Sequence, residues 1–160
     1  VNVIAEDLGF LTDGVRRLLH DSGFPGMKVI QFAFDSREES DYLPHNYEKN
    51  CVVYTGTHDN DTLCGWYKVL DPEDLKLSQK YMNNENTPKR QIHWDFIRLA
   101  LASVADLCII PLQDYLGLGS EARINTPSTL GNNWRWRMTQ GCLTKELADQ
   151  IRELTTLYGR

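Results

Sequence analysis

The sequence lacks most of the features that mark common binding and redox functions. Lysine and arginine occur in no cluster larger than pairs such as Lys89-Arg90 and Arg135/Arg137, and the net charge is −5. A nucleic-acid binder normally presents a basic face, so no nucleic-acid partner is expected. No apolar run approaches the ~20 residues of a membrane helix, so no membrane partner is expected either. Cys51, Cys64, Cys108 and Cys142 are far apart and form no Cys-x-x-Cys. That spacing fits buried free thiols in a reducing cytoplasm better than a disulfide framework. No Gly-x-Gly-x-x-Gly, Walker or Gly-x-Ser-x-Gly pattern occurs, so phosphate cradles and the serine-hydrolase elbow have no support. His-x-x-x-His and His-x-His are missing as well, with His20, His45 and His93 scattered over other elements. Neither a metal nor a cofactor is expected.

What is present is an alternation of short apolar runs and amphipathic stretches. The chain has 160 residues, enough for one domain with a real core. It opens on Val1, inside an apparent strand and without an initiator Met, which reads as a cut end. Strands are expected at residues 1–5, 27–34, 51–54 and 106–111. Thr12 and Gly23 bracket a helix with Val15, Leu18 and Leu19 on one face. A second helix is expected over 62–69, and Pro72 starts a third, since proline suits a first helical turn. Helical spacing of Ile92, Phe96, Leu99 and Ala100 predicts a fourth within 89–104. Thr144 caps a last helix carrying Leu147, Ile151, Leu154 and Tyr158 on one stripe. Residues 35–50 and 112–137 read as loops, the second long enough to imply a function. Four strand–helix units of this kind imply α/β architecture with parallel strands and right-handed crossovers. They amount to half of an eight-fold barrel or to a small open sheet standing alone.

Two strand ends carry the chemistry. Val53 to Thr62 runs from an apolar strand into Gly56 and then His58, Asp59, Asn60 and Asp61; Val1 to Gly9 ends in Glu6 and Asp7. Parallel strands buried on both faces deliver polar groups at their carboxyl ends, so the two stretches suggest one shared site. Side chains alternate along an extended segment, so only one of Glu6 and Asp7 can face it. The His-Asp-Asn-Asp stretch fits a hydrogen-bonded loop, and its short planar groups also match sugar hydroxyls. Nearby Tyr54, Trp66 and Tyr67 are expected mainly to pack in the core. Trp134-Arg-Trp-Arg137 is either a stacking platform or, preferably, a plug whose arginines pair with acids. Paired carboxylates on parallel strands fit glycosyl transfer better than acyl or phosphoryl transfer.

These residues fall into a known pattern. Ala5-Glu-Asp-Leu-Gly9, Phe24-Pro-Gly-Met27, Gln31-Phe-Ala-Phe34, Tyr42-Leu-Pro-His-Asn46 and Tyr54-Thr-Gly-Thr-His-Asp-Asn-Asp-Thr62 resemble the 4-α-glucanotransferases, or amylomaltases, of the α-amylase clan. Gly65-Trp66, Pro111-Leu-Gln-Asp114, Gly117-Leu-Gly119, Arg123-Ile-Asn125 and Asn133-Trp-Arg-Trp-Arg137 continue the match in the family's order. The resemblance implies the second half, strands five to eight, of a (β/α)8 barrel. The N-terminal half, which holds the nucleophilic aspartate, is expected to be missing. It implies maltooligosaccharides and α-1,4-glucans as substrates. Glu6 would be the general acid/base, with a proton affinity raised by burial. Asp59 would stabilise the charged transition state, His58 would bond the central sugar, and Phe32 and Asn125 would touch the acceptor. Alone, the chain is expected to be inactive, and either to be poorly soluble or to self-associate through open strand edges. The alternative is a non-catalytic glucan-binding or assembly module. In one departure, Ser128 follows Pro127 where the family usually has Gly; if that position needs a positive φ, Ser costs roughly 1 kcal/mol.

Overall fold

The computed structural model describes residues 2–9 and 11–160, and Val1 lies outside them. Its centre is a three-stranded parallel sheet ordered β1-β2-β3, with β1 at Gly26–Val29, β2 at Cys51–Tyr54 and β3 at Leu107–Ile109. β2 is the middle strand, pairing Gly26 with Cys51 on one side and Val52 with Leu107 on the other. Each strand is followed by helical chain, as parallel connections require. The helices are α1 (Asp13–Ser22), α2 (Leu63–Val69), α3 (Pro72–Met82), α4 (Ile92–Leu101), α5 (Leu112–Tyr115) and α6 (Lys145–Leu157).

Local sequence sets these helix limits well. Thr12, Thr62 and Thr144 each accept a backbone N–H from the first turn of the helix they precede, and Gly23 ends α1 at φ 67°. Asp71 and Pro72 open α3, and Asn83 closes it in the left-handed region at φ 52°. The core lies between one face of the sheet and helices α2 and α4. Phe96, Ile97, Ala100, Val53, Leu63 and Ile30 are sealed in it. Trp66, Tyr67 and Phe34 meet the Phe96 ring edge-on at 5.3, 5.8 and 5.9 Å. Trp66 and Tyr67, beside the strand end, are therefore core packing.

Two expected strands differ. Residues 2–8 run beside β1 without forming a strand. The β1-side backbone that would complete a ladder belongs to Pro25 and Met27. Pro25 has no N–H to give. The Met27 N–H goes to the Asp7 carboxylate at 2.6 Å, so only the Ala5 N–H to Pro25 carbonyl bond, at 2.9 Å, joins the backbones. Gly26 permits this approach, since a Cβ there would sit 2.6 Å from Asp7 Oδ2. The second strand stops at Val29, the last residue in register with β2, and turns into a 3-10 helix over Ile30–Phe32.

The molecule leaves apolar surface uncovered. On β3, Leu107 and Ile109 are exposed. No residue of α1 is buried, and its Val15 and Leu18 face outward. No helix of the described residues is long and apolar enough to cross a membrane.

Candidate active site

The carboxyl end of β2 builds the densest polar constellation. Past Tyr54 the chain must bend sharply, and Gly56 allows it to pass Gln31, whose Nε2 would lie 2.5 Å from a Cβ at that position. Gln31, buried after the end of β1, donates from Nε2 to the Asp61 carbonyl at 2.7 Å. Asn60 Oδ1 accepts from both the N–H and the hydroxyl of Thr57 at 2.8 Å. Thr57 to Asp61 thus forms a loop closed on itself and strapped to the neighbouring strand's end.

Asp59 sits at its tip. Its backbone carbonyl accepts from Arg123 Nη2 at 2.7 Å, and Oδ1 accepts from Asn125 Nδ2 at 2.5 Å. His58 Nε2 lies 3.4 Å from the same Oδ1. The Asn125 N–H in turn donates to the His58 carbonyl at 3.1 Å. One oxygen of a half-exposed carboxylate is therefore fixed beside an imidazole and a carboxamide. The arrangement can stabilise positive charge developing on a bound ligand while the amide and ring bond its hydroxyls.

The His58 ring is covered by Trp134, with centroids 5.0 Å apart and planes tilted 35°. Trp134 holds φ 62°, unusual for a bulky residue and costing roughly 1–2 kcal/mol. Among the described residues, neither neighbouring arginine pairs with an acid. Arg135 donates to Asn132 Oδ1, and Arg137 to the carbonyls of Trp134 and Trp136. The Arg–acid pairs that the plug reading needs are not found among the described residues. Ser128 does occupy the left-handed region, at φ 60°.

Asp7 and Glu6 separate as alternation requires. Asp7 turns onto the Met27 N–H, whereas Glu6 is exposed. No hydrogen bond or ion pair of the described residues links Glu6 to Asp59, and the burial expected around Glu6 is absent from this chain. Phe32 stands at the end of the 3-10 turn that follows β1, with its ring against Tyr42 at 5.4 Å. The structure thus joins Asp59, His58 and Asn125, and leaves Glu6 and Phe32 on adjacent segments.

Sequence reasoning gave no role to Asp114, although it stands in the quoted Pro111-Leu-Gln-Asp114 stretch. Its carboxylate is 2 % exposed. Oδ2 accepts from the Thr55 hydroxyl at 2.6 Å and Oδ1 from the Leu63 N–H at 2.8 Å. Asp114 therefore clamps the end of β2 to the start of α2, directly behind the Asp59 loop. Burial drives its pKa from 3.8 up to about 6, opposed by these two hydrogen bonds and assisted by the nearby Asp61 charge. Asp61 is held by the Ser120 hydroxyl at 2.6 Å and the Thr62 N–H at 2.7 Å.

A depression of about 570 Å³ lies elsewhere, lined by Asn83, Asn86, Trp94 and Gln150 among others. It contains none of the strand-end residues, so the site is assigned by its converging polar groups. Among the described residues no three His, Cys, Asp or Glu side chains converge on a metal position.

Residues 1–144 match the family model described as 4-alpha-glucanotransferase. A 4-alpha-glucanotransferase of Clostridium butyricum is 50% identical over 161 residues, covering 100% of this chain and 33% of that protein. A chloroplastic/amyloplastic 4-alpha-glucanotransferase of Arabidopsis thaliana is 46% identical over 163 residues, covering 100% of this chain and 28% of that protein. Among solved structures, the amylomaltase from Streptococcus agalactiae in complex with acarbose superposes with a TM-score of 0.92 at 39% identity. That match covers 98% of this chain and 32% of the amylomaltase. The chain spans about a third of the length of these relatives.

Proposed function

The chain belongs to the 4-alpha-glucanotransferase family, and from that premise we propose that it supplies strands five to eight of a (β/α)8 barrel that transfers α-1,4-glucan segments between maltooligosaccharides. The whole domain then comprises this chain and an N-terminal half that brings the nucleophile. The observation that carries the reading is the Asp59–Asn125–His58 cluster at the end of a central parallel strand. Exposed Leu107 and Ile109 on β3, and Val15 and Leu18 on α1, support a sheet and helix layer completed by further chain. The solved relative in complex with acarbose supports an α-glucan ligand.

In this mechanism an aspartate from outside the chain attacks the anomeric carbon while Glu6 protonates the leaving glycosidic oxygen. Glu6 then removes a proton from the acceptor hydroxyl, which displaces the enzyme carboxylate. Nucleophile and acid/base stand about 5–5.5 Å apart in such retaining sites. Asp59 stabilises the positively charged transition state, His58 bonds the central sugar, and Asn125 and Phe32 contact the acceptor. The other strand-end aspartates support an outside nucleophile, because each is engaged elsewhere: Asp7 by the Met27 N–H, Asp61 by Ser120 and Thr62, Asp114 by Thr55 and Leu63. The unpaired thiols, with Cys51 and Cys108 pushed by burial up to about 11, suit a reducing compartment such as the cytoplasm.

Glu6→Gln in the longer enzyme is expected to abolish nearly all transfer from maltotriose while glucan binding persists. Near-normal turnover in that variant removes Glu6 from its role. The isolated 160-residue chain is expected to show no transfer, and turnover of maltotriose by the pure chain would overturn the two-half assignment.

A further inference from the structure

Three non-glycine residues hold a positive φ among the described residues: Asn83, Ser128 and Trp134. Asparagine and serine are small and polar, and asparagine is a frequent occupant of that region. Tryptophan is not, and burial does not offset its strain, because the residue is 58% exposed. The loop around it imposes the conformation. The Trp134 N–H donates to the Ile124 carbonyl at 2.7 Å, while Asn133 Oδ1 accepts the Thr126 N–H at 2.9 Å and its Nδ2 donates to the Thr129 carbonyl at 3.1 Å. These bonds close residues 126–133 into a compact turn and swing the indole against the His58 ring. A bulky residue held in a sparsely populated conformation and left exposed next to ligand-facing groups is the pattern of strain kept for a site.

We propose that Trp134 is a sugar-stacking residue, whose exposed indole receives the apolar face of an α-glucan ring held beside His58 and Asn125. This assignment rests on the glucan-transfer reading above. An indole combines a large apolar face with one N–H donor, which matches a sugar ring that is apolar on its C–H faces and polar at its rim. The side chains beside it suit the same ligand: Asn125 offers an amide, His58 a ring nitrogen and Asp59 a carboxylate, all within one hydrogen-bonded unit. Trp134 lies in the loop whose Arg123 and Asn125 already hold Asp59, so glucan stacked on it would also press on the group that stabilises charge.

The test uses the full-length enzyme carrying this segment, with Trp134→Gly and Trp134→Phe, reading maltotriose transfer and thermal melting. Glycine relieves the strained φ and removes the ring. Trp134→Gly is expected to raise KM roughly tenfold, the scale of losing one aromatic contact, with kcat little changed. Its melting temperature should stay within about 2 °C of wild type, strain relief offsetting the lost contact with His58. Trp134→Phe keeps a stacking face and should hold KM within about threefold. An unchanged KM in Trp134→Gly overturns the proposal. So does a melting temperature more than about 5 °C lower, which marks Trp134 as a packed structural residue instead. A wild-type enzyme without any glucan transfer would sink the underlying reading; an active enzyme with an indifferent Trp134→Gly sinks only the stacking role.

Discussion

Replacing Asp114 by asparagine offers a sharp test of how the Asp59 loop is held. A folded pKa of about 6 against 3.8 for the free group means that the folded chain binds this proton more tightly than the unfolded chain does. The stability this adds is fully present below pH ~4 and is lost as pH rises through about 6. A rise of about two pKa units corresponds to about 3 kcal/mol. Asparagine mimics the protonated form: its Oδ1 can accept the Leu63 N–H, while its Nδ2 donates to the Thr55 hydroxyl, which reverses to accept. Both bonds survive and the buried charge is gone. At pH 7 the variant should therefore match or exceed wild type, by up to about 3 kcal/mol. At pH 4 the two should coincide. Asp114→Ala is the contrasting case. It strands the Leu63 N–H and the Thr55 hydroxyl in a buried place, at roughly 1–3 kcal/mol each. Urea unfolding of all three proteins between pH 4 and 7.5 reads the difference, with constant m-values as the check on two-state behaviour. A wild-type pH slope that persists unchanged in Asp114→Asn would refute the reasoning, as would Asp114→Asn falling as far as Asp114→Ala at pH 7.

Two further perturbations probe the same architecture. Ser128→Gly relieves the positive φ of 60° and should stabilise the chain by about 0.5–1 kcal/mol, after allowing for the greater freedom of glycine when unfolded; a lower urea midpoint would contradict the strain. His93 is buried under Gly117, and burial lowers its pKa below 6.5, partly opposed by Asp95. Its contribution to stability is complete above pH 6.5 and is lost as pH falls from there through the lowered folded pKa, so His93→Leu should flatten unfolding midpoints measured over that window.

Much of this structure was legible because it is decided within a few residues. β2 occupies the four residues of its apolar run, and Thr12, Thr62 and Thr144 cap the helices that follow them. The misread parts are decided at a distance. Residues 1–5 have the composition of a strand, but Pro25 and the Asp7–Met27 bond deny the described part of that segment a ladder, and neither is visible in its own apolar pattern. Residues 112–137 have no period because side-chain bonds organise them instead: Gln113 to Ala122, Arg123 to Asp59, Asn133 to Thr126 and Thr129. The cluster was legible only in part. His58 and Asp59 announce themselves as neighbours, and Asn125 came from family resemblance. Asp114 gave one signal, an acid a few residues past an apolar strand, but its partners Thr55 and Leu63 lie 59 and 51 positions earlier.

The two carboxylates assigned to chemistry are held with unequal stiffness, and that inequality follows from the packing. Asp59 rides on a loop strapped by Gln31, Asn60, Arg123 and Asn125, with the Asp114 clamp buried behind it. Ordering such a loop in advance removes reorganisation from the moment when charge develops. Among the described residues, the segment that carries Glu6 is joined to β1, at the edge of the sheet, by one backbone bond and one Asp7 carboxylate bond. Local opening there breaks few contacts, so its free energy lies near the low end of the range a folded chain spans. Chain placed against that edge would lower the freedom of Glu6 and remove water from it together. Closure of that edge would thus fix the position of Glu6, whereas Asp59 is already held by this chain.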